Sequence, residues 1–207
     1  MKAVQRPRIY RNFFTDISAR GIGVAYPTGV NLLWDAERMT FSRAWKNEFV
    51  DAAMHWVGRG QGRQKPQGDA VVNIEGSVPV AKITSIDSPW PTETGRQMGY
   101  RFLGYQLDGD GNPGFRYLAG DSQVHDQPLA LKNGFERRIS IDAQDALVVQ
   151  LAVGKIQAMD GGYRINDQYT VKIAGVAIEL VSADGKQALR ALIPASTRSE
   201  IIQTITW

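Results

Sequence analysis

Apolar and polar residues alternate over short runs through most of this chain, and the runs end at residues that tolerate tight turns, which is the period-2 signature of β-strands. In Val176-Ala177-Ile178-Glu179-Leu180 the residues Val176, Ile178 and Leu180 are expected to share one strand face. Asp184-Gly185 follows, and Leu189, Ala191 and Ile193 resume the alternation, so residues 175–194 predict a hairpin. The same pattern predicts strands over 100–107, 115–118, 137–141, 146–153, 169–173 and 201–207, with Asn133-Gly134 and Asp160-Gly161-Gly162 among the turns. Closely spaced short strands point to an all-β fold: an antiparallel β-sandwich with irregular loops and at most one or two short helices.

The N-terminal half is less regular. Strands are expected over 8–14, 21–26, 30–34 and 39–45, with Pro27-Thr28-Gly29 and Asp35-Ala36-Glu37 as turns. One segment reads as a helix: Trp45, Phe49, Ala52 and Trp56 fall at helical spacing and would form a single apolar stripe. Residues 58–69 (GRGQGRQKPQGD) have no apolar period and read as an exposed loop. A second irregular stretch, 85–97, holds Pro89-Trp90-Pro91 and marks a boundary between halves 1–90 and 98–207 of a single domain.

Composition removes chemistries rather than naming one. The 207 residues contain no cysteine and two histidines, His55 and His125. Disulfides, thiol nucleophiles, iron-sulfur clusters, cysteine-ligated zinc, c-type haem attachment and multi-histidine metal centres are therefore excluded. A formal charge of +3 is a statement about solubility, and the lack of a strongly basic stripe argues against nucleic acid as a partner. No apolar run reaches the ~20 residues of a bilayer span, and no apolar core follows the basic first residues, so neither a membrane span nor a signal peptide is expected in this chain.

Several clusters have residue types suited to chemistry, each with a plain structural alternative. On a helix, Glu48, Asp51 and His55 would project together as a polar cluster for acid/base work or a metal, or as a solvated face. Asp108-Gly109-Asp110-Gly111-Asn112 begins like a calcium loop, but Pro113-Gly114 stands where ligands should follow, so it reads as a hairpin turn. Trp34, Trp45, Trp56, Trp90, Tyr100, Tyr105 and Tyr117 could form a sugar platform or fill a core, and Trp90, between two prolines, is the one expected at the surface. Arg59 and Arg63 in the glycine-rich loop could contact an anion or RNA, or simply be solvated. No phosphate-binding loop, dinucleotide fingerprint, zinc-protease helix, serine-hydrolase elbow or glycosylation sequon is present. No metal site and no cofactor is assigned.

A family resemblance runs through Arg8-Ile9-Tyr10-Arg11, Gly23-Val24-Ala25-Tyr26-Pro27, Trp34-Asp35-Ala36, Trp56-Val57-Gly58-Arg59-Gly60, Pro89-Trp90-Pro91 and Tyr100-Arg101-Phe102-Leu103-Gly104-Tyr105 to the closing Ile201-Ile202-Gln203 with Trp207. In that order the chain resembles the C-terminal companion domain of planctomycete-type c-type cytochrome proteins, here without their CxxCH module. The resemblance implies a non-catalytic accessory or docking subunit of a periplasmic or extracytoplasmic electron-transfer assembly. The expected protein partner is a c-type cytochrome or a membrane redox or photosynthetic complex, contacted through Trp90, Arg59 and Arg63. The alternative expectation is a carbohydrate-binding or carbohydrate-modifying β-sandwich using Trp90 with Asp35, Asp51 and Arg59.

Overall fold

Five strands form an antiparallel meander, β1 (Arg8–Asn12), β2 (Gly21–Ala25), β3 (Val30–Asp35), β4 (Thr40–Lys46) and β5 (Asp69–Asn73), in that spatial order. This is a computed structural model, and it describes residues 5–53, 62–74, 77–183 and 185–207. The chain continues through β6 (Val80–Ala81), β7 (Arg101–Leu107), β8 (Pro113–Ala119), β9 (Ser122–Leu131), β10 (Gly134–Ala143) and β11 (Leu147–Gly154). It ends with β12 (Ile156–Met159), β13 (Gly162–Ile165), β14 (Tyr169–Ala174), β15 (Glu179–Ala183), β16 (Lys186–Ile193) and β17 (Thr197–Thr206). An eight-stranded sheet has the order β12-β13-β14-β17-β10-β9-β8-β7, and a four-stranded sheet the order β15-β16-β11-β6. The fold is all-β and antiparallel, as the alternation predicts.

One hydrophobic cluster draws on all three sheets. Val24, Leu32 and Trp34 of the first sheet meet Phe115, Phe135 and Ile201 of the second and Leu147 and Leu189 of the third. Trp34 lies flat on Phe115, with ring centroids 4.4 Å apart and planes 8° apart. β6 pairs with β11 through Val80↔Val149 and Ala81↔Val148, and the Tyr26 hydroxyl donates to the Pro128 carbonyl at 2.7 Å. Residues on both sides of 85–97 thus share one core.

The first sheet is covered on its second face too, so β2 and β3 are buried along their whole length. Phe14, Ile17, Phe49 and Val50 close over Ala25, Leu33 and Trp45 there. That cap corrects the helix expected from Trp45 onward. Trp45 belongs to β4, Asn47 turns the chain with a left-handed φ of 69°, and Phe49 folds back to stack on Trp45 with planes 2° apart. The Trp45 indole N–H bonds the carbonyls of Glu48 and Phe49 at 2.9 and 3.1 Å. The i, i+4 spacing of two aromatics marks a chain reversal rather than a helix.

The hairpin read at 175–194 is present as β15 and β16, closing at Ala183↔Lys186 with Gly185 at a φ of 73°. Leu189, Ala191 and Ile193 are buried together as expected. In β15 Leu180 pairs with Leu189 and lies on the same sheet face, as expected, but it is 47% exposed because β15 is the edge strand; Val181, paired with Ala188 on the other face, is buried.

Candidate functional site

The eight-stranded sheet has two unlike faces. Alternate side chains of a strand point to opposite sides, so β9 sends Val124 and Asp126 inward while Gln123, His125 and Gln127 face out.

On the inner face Asp126 and Arg137 are 0% and 4% exposed. Arg137 Nε donates to both oxygens of Asp126 at 2.9 and 2.8 Å, and its Nη1 donates to Gln203 Oε1 at 3.1 Å. Gln203 Nε2 passes the chain on to the Leu151 carbonyl at 2.6 Å, and the guanidinium lies over the Phe41 ring. Burial pushes the Asp126 carboxyl above the usual range, and Arg137 opposes that shift. Burial likewise raises the phenol of Tyr117, reinforced by the Asp126 charge and opposed by Arg137. The Tyr117 hydroxyl and the Trp34 indole N–H are buried without a hydrogen-bond partner among the described residues. Buried between sheets, this network ties β9, β10 and β17 together.

The outer face carries an open cleft of about 490 Å3. Its register is a row across four strands, Arg116↔His125, His125↔Ser140 and Ser140↔Glu200. The next row holds Leu118↔Gln123, Gln123↔Asp142 and Asp142↔Arg198, where Arg198 Nε bonds Asp142 at 3.1 Å. Leu103 of the edge strand β7, 44% exposed, borders the cleft. The His125 ring is seated against the backbone of Gly114: a Cβ built there would lie 2.1 Å from Nε2. Among the described residues no hydrogen bond joins His125, Ser140 and Glu200.

The residues expected from sequence do not assemble into this site. Glu48 and Asp51 are exposed on the irregular chain after β4, and Asp51 accepts a bond from the Ala53 N–H at 2.9 Å. His55, Trp56 and Arg59 lie outside the described residues. Arg63 is exposed. Trp90, expected at the surface, is only 9% exposed: its N–H donates to the Val78 carbonyl at 2.9 Å and the Arg190 guanidinium lies 4.7 Å from its ring centroid. Arg190 also donates to the Ile86 and Ser88 carbonyls at 2.8 and 2.7 Å, fastening this stretch over the four-stranded sheet. Asp35 is fully buried and its oxygens accept from Ser18 and from the Glu37 N–H. Trp34, Trp45 and Tyr117 are core residues and Tyr100 and Tyr105 are half-buried, so none of the described tryptophans and tyrosines quoted for a sugar platform stands free on the surface.

Asp108 caps the β7–β8 hairpin, the turn expected there. Its carboxylate accepts from the backbone of Asp110 and Asn112 at 3.0 and 2.8 Å and from the side chains of Asn112 and Gln127 at 3.0 Å. The Asn112 side chain, followed by the backbone donors, holds this carboxyl below its usual value. Among the described residues no group of three His, Asp or Glu side chains is placed to hold a metal ion, and no helix is long and apolar enough to cross a membrane.

No family model, curated protein or solved structure matches the chain. The geometry alone therefore identifies the outer cleft. Its residues sit on five different strands with no linear motif, and only the strand register brings them side by side. The one local signal in the sequence is Gly114 at a strand position, where a missing side chain marks a close approach.

Proposed function

We propose that this protein is a non-catalytic docking module and that the cleft on the outer face of the eight-stranded sheet is where a protein partner seats. The observation that carries this reading is the contrast between that open cleft, with polar groups in register and no hydrogen-bonded catalytic pair, and the closed polar network behind it. Partner surfaces concentrate binding in a few Arg and large apolar contacts within a polar rim, and Arg116 and Leu103 supply that combination at one edge of the cleft. The resemblance to the companion domain of c-type cytochrome proteins supports a c-type cytochrome, or a membrane redox complex containing one, as the partner. On that reading the protein works outside the cytoplasm and holds no cofactor itself.

Affinity purification of the tagged protein from its native membranes tests the proposal. A co-purifying protein with covalently bound haem, detected by its absorbance and by haem staining, is the expected result. Recovery of the bait with no haem protein attached would overturn the redox-partner reading.

A further inference from the structure

The charges around the cleft are unevenly matched. On its β10–β17 side the cations have carboxylates: Arg198 bonds Asp142, and Arg138 Nε bonds Glu136 at 2.8 Å. On the β7–β8 side Arg116 has no ion pair or hydrogen bond among the described residues. It lies beside the ring of His125 in register and faces the exposed Leu103 at the β7 bulge. An unpaired guanidinium next to an exposed leucine suits an anion attached to an apolar group. The walls limit which anion fits. Glu200 also lines the cleft, so a polyphosphate or nucleic acid running from Arg116 along this row would meet its repulsion, whereas a single carboxylate reaches Arg116 without approaching it.

We propose that the cleft recognises an acidic side chain on an extended segment of a partner polypeptide, with Arg116 as the anchor for its carboxylate and Leu103, on the side away from Glu200, as the contact for an apolar residue two positions before it. The inference rests on the docking reading and adds the chemistry of what docks. Three inter-strand spacings separate Arg116 from Glu200, about 14 Å, which an extended chain crosses in about four residues. A basic residue four positions from the acidic one would then reach Glu200 at the far end of the same row.

The test is fluorescence anisotropy at low salt with the labelled heptapeptide Leu-Ser-Glu-Ser-Ser-Ser-Lys, which sets leucine, acid and base on one face, and its counterpart Leu-Ser-Lys-Ser-Ser-Ser-Lys. The acidic peptide is expected to bind the full chain at least tenfold more tightly, and Arg116→Ala to weaken it about tenfold, the scale of a lost charge-assisted contact. Arg164→Ala, on β13 away from the cleft, is expected to bind as the wild type does. Equal binding of the two peptides, or an Arg116→Ala variant of unchanged fold and affinity, would overturn the assignment. The purification from membranes separates this inference from the reading beneath it. Retention of the haem protein by Arg116→Ala overturns the anchor and leaves docking standing. An Arg116-dependent peptide affinity with no haem protein recovered supports the cleft assignment and overturns the redox partner.

Discussion

The two faces of the eight-stranded sheet are built from the same strands, one residue apart, and they treat polar groups in opposite ways. Inside, Asp126, Arg137 and Gln203 are buried and bonded to one another and to Leu151. Outside, Arg116, His125, Ser140 and Glu200 stand in register around a cleft, with no side-chain hydrogen bond joining them among the described residues. A polar group satisfied within a core specifies structure, because leaving it unpaired there is costly. One left open at the surface costs the fold almost nothing and is available to a partner. Substitutions on the two faces should therefore separate stability from binding.

The largest expected effect is on the inner face. Arg137→Ala leaves Asp126 buried without its cation, and a loss of about 3–5 kcal/mol is expected in urea denaturation at neutral pH. The deficit should narrow in acid. Without Arg137 the Asp126 carboxyl rises further, and below that raised value the neutral acid is the form the core prefers. Arg116→Ala, by comparison, should move stability by no more than about 0.5 kcal/mol. An inner-face loss as small as the outer one would break the comparison.

Two neighbours on β17 sharpen it without charge. Ile201 is fully buried and Ile202, on the opposite face, is half-buried. Ile201→Ala should cost about 2–4 kcal/mol and Ile202→Ala less than about 1 kcal/mol, read from denaturation midpoints.

Asp108 gives an outer-edge counterpart to Asp126 with the opposite sign. Its carboxyl is lowered by the hairpin's hydrogen bonds. Its contribution is therefore present above the ordinary carboxylate value, about pH 4, and is lost as pH falls through the lowered one. The advantage of the wild type over Asp108→Ala should shrink in acid, and a constant difference from pH 7 to pH 2 would contradict the assignment.

A small effect is expected at Gly114→Ala as well. The new methyl would collide with a movable imidazole rather than with backbone, so stability should change by less than about 1 kcal/mol. The His125 ring resonances in NMR should nonetheless shift as the ring leaves its seat.

Much of the fold was legible in sequence because burying one sheet face imposes a period of two. The hairpin around Gly185 shows this in its register. What escaped had local patterns set by distant contacts. β9 was hidden because its inner face carries Asp126 and Pro128, which interrupt the apolar alternation and make sense only opposite Arg137 and Tyr26. Trp90 lies in an irregular, proline-flanked stretch that reads as exposed, and it is buried by Arg190, far along the chain. An arginine inside the apolar run Ala188-Leu189-Arg190-Ala191 was the available sign that something covers that face. The cleft was illegible for a different reason: its residues are ordinary solvent-face residues of five strands, and only pairing gives them a common address.

Site-specific photocrosslinking measures the docking claim most directly. A benzophenone side chain placed at Gln123 sits in the cleft, whereas one at Lys172, on β14 of the same sheet, lies exposed outside it. Illumination in native membranes is expected to join the Gln123 probe, and not the Lys172 probe, to a haem-staining protein. Equal labelling from both positions, or a haem-staining adduct from Lys172 alone, would contradict the account.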